Sequence, residues 1–170
     1  MLYNASVGNY DNQGHRASDV GASDVAPAMN EQEVVNLLWR KLNLQLATID
    51  ESGDPNIQPV WFDYEKDSEK LYVMTSKMSN KVRNIRSKPN VYFSIDDENL
   101  PYKGVKGKAT ARIIEDLQKV VSMAEKINIK YLGTLEHPLA KMLMEFAQNG
   151  TEILLEISPK FFSTWDFAKA

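Results

Sequence analysis

Between Leu44 and Glu115 the sequence alternates apolar and polar residues in short runs parted by turns, the pattern of strands that follow one another in an antiparallel sheet. Leu44, Leu46 and Thr48 alternate against Asn43, Gln45 and Ala47, and ESGDPN supplies a turn before the strand IQPVWFDYE. The turn KDSEK leads into LYVMT, and VYFSID follows Pro89 as a fourth strand. After DENLPY, Val105, Gly107, Ala109 and Ala111 alternate with Lys106, Lys108, Thr110 and Arg112 in a long fifth strand. TEILLEISP returns as a sixth, with Ile153, Leu155 and Ile157 on one face, and KFFSTWDFAKA reads as a final strand or a docking segment. Pro59 cannot donate to a ladder, which places it at an edge or a bulge. Gly104 and Gly107 mark a bulge, a close approach by other atoms, or a barrel-corner bend.

Helical periodicity flanks these strands. Asn30 with Glu33 three residues later makes a capping box ahead of Val34, Val35, Leu37, Leu38 and Leu42. A second period of helix type runs from Glu115 through Leu117, Val120, Val121, Ala124 and Ile127, and another from His137 or Pro138 to Asn149-Gly150. The fold class expected is mainly β (α+β), a small closed or split six-stranded antiparallel barrel with peripheral helices.

The 170 residues, 43% hydrophobic and 25% charged, suit one domain, expected at residues 30–170. Residues 1–29 are polar and aperiodic and read as a tail or an arm laid over the domain or a partner. A net charge of -3 and a pI near 5.5 argue against nucleic acid as a partner. No cysteine is present, which excludes disulfides, thiolate metal sites and cysteine nucleophiles. No apolar run of about 18 residues and no signal-peptide pattern occur, so the expectation is a cytoplasmic protein with no membrane association.

The stretch Lys70 to Asp96 carries Lys77, Lys81, Arg83, Arg86 and Lys88, with no acidic residue from Lys70 to Ile95. Thr75, Ser76 and Ser79 add hydroxyls, and Ser79 or a neighbour caps a short helix whose free amides favour a phosphate. Two readings fit this cluster: an anion site, or a helix with an exposed basic face. His15 reads as solvated and His137 as a turn residue, and their separation supports neither a zinc site nor a histidine triad. Asp96, Asp97 and Glu98 read as a solvated turn without the spacing of a calcium loop. Trp39 reads as a core or interface residue, Trp61 as able to pack on a planar ring, and Trp165 as a subunit-packing residue first and a cofactor-ring contact second.

These pieces, LATID-ESGDPNIQPVWF, LYVMTSKMSNKVRNIRSKPNVYFSID and VKGKATARI, resemble in order and spacing the pyridoxamine 5'-phosphate oxidase-like flavin-binding split barrels over about Leu44 to Ile113, with an echo at Trp165. The resemblance implies a homodimer of six-stranded split barrels with a flavin at each subunit interface. By position, Thr75, Ser79, Asn80 and Lys81, with Ser76 and Lys77 beside them, correspond to the phosphate-binding segment. Gln58, Pro59, Val60 and Trp61 correspond to the strand along the isoalloxazine. Ile57 and Phe62 stand where the pyridoxamine phosphate oxidases carry basic residues, and their C-terminal arginine motif is absent, which counts against pyridoxamine phosphate as substrate. The expected function is an oxidoreductase binding FMN or a deazaflavin coenzyme, passing hydride to or from a small organic substrate with no side-chain base and no metal. The alternatives are a non-catalytic flavin or haem carrier or stress protein on the same barrel, and a module binding an anionic polymer.

Overall fold

The computed structural model describes residues 27–169, with Phe162 described by its backbone alone. The arm, His15 included, lies outside the described residues up to residue 26. The first helix, α1 (Glu31–Leu38), opens on the capping box read from the sequence: the Asn30 side chain accepts from the Glu33 amide at 2.9 Å, and the Glu33 carboxylate accepts from the Asn30 amide at 2.7 Å. It ends at Leu38, short of Leu42, which still packs on the core from the turn beyond.

Seven strands form one antiparallel sheet in the order β2-β1-β5-β6-β7-β4-β3: β1 (Leu44–Ile49), β2 (Pro55–Val60), β3 (Asp63–Glu65), β4 (Lys70–Ser76), β5 (Asn90–Asp97), β6 (Lys103–Ile114) and β7 (Glu152–Asp166). β2 and β3 lie at opposite edges, yet only Trp61 and Phe62 join them. Three residue steps span at most about 11 Å. The sheet therefore curls until its edges nearly meet, which is a split barrel.

The expectation of six strands needs correcting at this point. IQPVWFDYE does not run on as one strand, because Phe62 turns fully into the core and its amide donates to the Tyr131 hydroxyl at 3.2 Å rather than to a ladder. The chain thereby changes edges between β2 and β3. Pro59 stands on an edge strand, as its missing donor requires.

β7 is longer than expected, because TEILLEISP and KFFSTWD form one strand. Pro159 is accommodated where the β6–β7 register shifts between Lys108 and Ala109. The glycines of β6 mark close approach. A Cβ on Gly104 would collide with the Trp165 ring, and one on Gly107 with the Phe93 ring and the Phe161 carbonyl.

Two apolar cores result. The barrel interior takes Leu44, Leu46, Val73, Phe93, Ile95 and Leu155 with the inner face of α1. The outer face of β4 and β7, at Tyr72 and Leu154, is covered by α3 (Leu117–Leu132) and α4 (Pro138–Gln148) through Val120, Ala124, Ile127 and Ala147. His137 caps α4, its Nδ1 accepting from the Leu139 amide at 3.1 Å. The short helix α2 (Asn80–Ser87) turns Val82 and Ile85 into the barrel. Among the described residues no helix is long and apolar enough to cross a membrane.

One further expectation fails locally, and another is narrowed. Asp97 is not solvated: it is buried, pairs with Arg40 at 2.6 Å, and accepts from the Asn99 amide and side chain. The Asn99 hydrogen bonds, with Arg40 behind them, hold its carboxyl down at about 2. Trp39, at the C-cap of α1, is 52% exposed, which removes the core half of its expected reading and leaves the interface half.

Glu156, in the middle of β7, ties the layers together. It is buried and accepts from Lys70 at 3.0 Å, Arg112 at 2.8 Å, Lys119 at 3.1 Å and the Tyr72 hydroxyl at 3.2 Å, reaching β4, β6 and α3. Burial pushes its carboxyl up, but the bonds from Lys70, Lys119 and Arg112 outweigh that and hold it at about 2. An unfolded glutamate titrates near 4.3, so this stabilisation is complete above that value and is lost as pH falls through about 2. Glu156→Gln is expected to cost about 1–3 kcal/mol in urea unfolding at pH 7. The gap from the parent should close as the same titration is repeated toward pH 2; a gap independent of pH would remove the ion pairs from the account.

Candidate functional site

The basic stretch resolves into side chains with separate tasks. Arg86 pairs with Glu115 at 3.1 Å, and Lys88 donates to the carbonyls of Asp50 and Glu51 in the β1–β2 turn. Lys77 is exposed. Lys81, in the first turn of α2, turns back instead: its ammonium donates to the Thr75 hydroxyl at 3.0 Å, and Thr75 donates to Ser79 at 3.3 Å.

Ser79 holds the N-cap position of α2, but its side chain makes no capping bond. The first-turn amides of Asn80 and Lys81 are thus left to another acceptor. Lys81 is half-buried, and burial lowers its pKa, with Glu152 as the opposing charge. A desolvated ammonium, two hydroxyls and uncapped helix amides in one place fit an incoming phosphate.

Beside them lies a cavity of about 390 Å³ between the end of β2 and the two covering helices. Pro59, Val60 and Trp61 form one wall, Ile127, Asn128 and Leu143 face them, and Met74 and Glu152 line its β4–β7 side. The volume and the predominantly apolar lining suit a small organic ring system. Met74 and Ser76 share the outer face of β4 while Thr75 points to the other face, and it is Glu152, paired in register with Ser76 and within Coulombic range of Lys81, that links this side of the cavity to the cluster.

The residues expected from sequence therefore meet in part. Pro59, Val60 and Trp61 line the cavity, whereas Thr75, Ser76, Ser79 and Lys81 do not; the link between the two groups is Glu152, which lines the cavity, pairs in register with Ser76 and lies within Coulombic range of Lys81. Gln58 lies behind the wall, half-buried opposite Leu46. Asn80 lines a different, polar depression of about 270 Å³ with Asp50, Glu51 and Arg83. Trp165 lies twelve residues along β7 from Ile153, a contour of about 40 Å, and packs over Gly104. Within one chain it does not reach the cluster.

Trp61 offers one ring face at most. Its other face stacks on Tyr131, centroids 4.7 Å apart and planes within 6°. The Tyr131 hydroxyl donates to the Leu42 carbonyl at 2.6 Å and accepts from the Phe62 amide. Burial pushes that hydroxyl up to about 12, so it remains a donor. Tyr131, Asn128 and Glu152 were missed from sequence. Their helical or strand periodicity was legible, but nothing local says that α3 and β7 face Trp61.

A wider cleft of about 720 Å³, lined by Trp39, Arg40, Lys41, Asp63, Lys126 and Lys130, carries none of the expected residues. Its Arg40 is bound to Asp97, and its Lys130 to the Leu38 carbonyl and the Phe62 ring. Among the described residues no three His, Asp or Glu side chains gather to hold a metal.

The family model described as pyridoxamine 5'-phosphate oxidase matches residues 31–165. Among solved structures, the conserved hypothetical protein Rv2991 from Mycobacterium tuberculosis is similar with a TM-score of 0.72 at 22% identity, covering 83% of this chain and 87% of that one. An F420 reductase aligns with a TM-score of 0.62 at 27% identity, over 75% of this chain and 94% of its own. HutZ, the heme storage protein from Vibrio cholerae, aligns with a TM-score of 0.63 at 18% identity, over 80% and 94%. No curated protein sequence matches the chain.

Tyr131→Phe removes one donor and leaves the Phe62 amide and the Leu42 carbonyl unpaired. An expected loss of about 1–3 kcal/mol in thermal or chemical unfolding checks the role given to this hydroxyl. An unchanged midpoint would show that the crossing is held by packing alone.

Proposed function

Because the chain belongs to the pyridoxamine 5'-phosphate oxidase family, a family of flavin-binding split barrels, we propose that it is a flavin-dependent oxidoreductase acting on a small organic substrate. The observation that supports this reading is a cavity walled by Pro59–Trp61 whose lining residue Glu152 lies within Coulombic range of Lys81, which with Thr75 and Ser79 forms the cationic and hydroxyl cluster. FMN and a deazaflavin are the candidate cofactors; the similarity to an F420 reductase is what keeps the second in play.

When bound, the cofactor supplies hydride transfer, and the protein supplies position and electrostatics. Lys81 and the hydroxyls of Thr75 and Ser79 hold the phosphate, and the amides of Asn80 and Lys81 complete its ligands. Pro59, lacking an N–H, and the edge position of β2 leave backbone free beside the ring. The apolar helix wall at Ile127 and Leu143 excludes water from the ring's surroundings.

The same reading includes a homodimer. Ile57 and Tyr92, 64% and 54% exposed, stand in one cross-strand row with Ala47 on the outer face of β2, β1 and β5, an apolar strip that a second copy would cover. Sedimentation equilibrium should give the mass of two chains, and a single-chain mass would remove this part.

Titration with FMN and with a deazaflavin, followed by tryptophan quenching, tests the cofactor assignment. Lys81→Ala should weaken binding by about 1–3 kcal/mol, roughly 5- to 150-fold, through loss of a charged hydrogen bond. Unchanged affinity would put the phosphate elsewhere. Binding without turnover of any reduced cofactor would make the protein a carrier.

A further inference from the structure

One carboxylate faces the anion-holding side of the cavity. Glu152 opens β7, pairs in register with Ser76, lines the cavity wall and is half-buried. It lies within Coulombic range of Lys81, whose ammonium donates to Thr75. The stretch from Lys70 to Ile95 holds no acidic residue, and Asp50 and Glu51 face the separate depression by Arg83. The charge at the site is therefore close to balanced before any ligand arrives: one half-buried ammonium against one half-buried carboxylate, with Lys77 exposed beside them.

This balance has a consequence for the ligand. The attraction of a phosphate to Lys81 grows in proportion to its charge, but Glu152 cancels much of that attraction, and the repulsion it adds grows in the same proportion. The cost of stripping water from the phosphate grows faster, as the square of its charge. A second negative charge therefore adds more cost than gain.

Resting on the flavin reading above, we propose that Glu152 makes the anion site select a singly charged phosphodiester over a doubly charged phosphomonoester, so that the cofactor class is a flavin or deazaflavin whose phosphate is esterified twice. Burial already pushes the Glu152 carboxyl up and the Lys81 ammonium down, each opposed by the other's charge, which is the behaviour of two groups sharing one poorly solvated space. Glu152 acts here as a specificity-determining residue and touches no reacting atom.

The test compares three ligands that share one ring system: FMN, its monomethyl phosphate ester, and riboflavin. Each is titrated at pH 8, where a phosphomonoester is dianionic, into the parent protein, Glu152→Gln and Glu152→Asp. The parent should bind the methyl ester more tightly than FMN. Glu152→Gln should strengthen FMN about tenfold and the ester about threefold, because the relief is proportional to charge, and should leave riboflavin unchanged. Glu152→Asp, which keeps the charge, should keep the parent's preference. The unchanged riboflavin affinity also reports that the variant is folded. FMN binding more tightly than the ester in the parent, with Glu152→Gln moving no ligand or moving all three alike, would overturn this inference and leave the flavin reading standing. Failure of every ligand to bind the parent would remove the flavin reading and the inference together.

Discussion

One connection constrains most of this molecule: Trp61 and Phe62 carry the chain from one edge of a seven-stranded sheet to the other. A link that short requires a curled sheet, and a curled sheet with its core inside requires one of the two residues to turn inward. Phe62 does so and is fully buried. Trp61 is left outside, where it stacks on Tyr131 and becomes part of a cavity wall. The Tyr131 hydroxyl fastens the crossing to α3 and to the turn after α1, so the geometry that closes the barrel also sets the width of the site.

Two glutamates on one face of β7 show how place decides the behaviour of a carboxylate. Glu156 meets Lys70, Arg112, Lys119 and the Tyr72 hydroxyl, and hydrogen bonds overcome the penalty of burial. Glu152, four residues earlier, meets one lysine at a distance, and burial prevails. The first carboxylate holds β4, β6, β7 and α3 in register. The second leaves unspent charge beside a cavity, a costly arrangement in a structure and a useful one where an anion must be told from another.

Much of the fold was legible because its signals are local. The Asn30 and Glu33 cap, the alternation in β1 and β6, the His137-Pro138 start and the Pro59 edge position all follow from a few adjacent residues. The division of the second strand was not legible, since the residues that break it act through a partner, Tyr131, almost seventy positions away. Asp97 looked like a turn residue because its ion-pair partner, Arg40, comes from the end of α1. Likewise, Lys81, Thr75 and Ser79 were legible as a cluster, being within seven residues of one another. Glu152 and the helix wall were not, because only the curl of the sheet brings them to Trp61.

The central claim is that the cavity beside Trp61 holds a flavin-type ring and the Lys81 cluster holds its phosphate. A crystal structure of the protein saturated with a phosphate-bearing flavin tests it most directly. The ring should lie along Pro59, Val60 and Trp61, with the phosphate within hydrogen-bond distance of Lys81 Nζ and the Thr75 and Ser79 hydroxyls. A flavin phosphate bound away from Lys81, or a ring seated in the cleft by Trp39 instead, would contradict it.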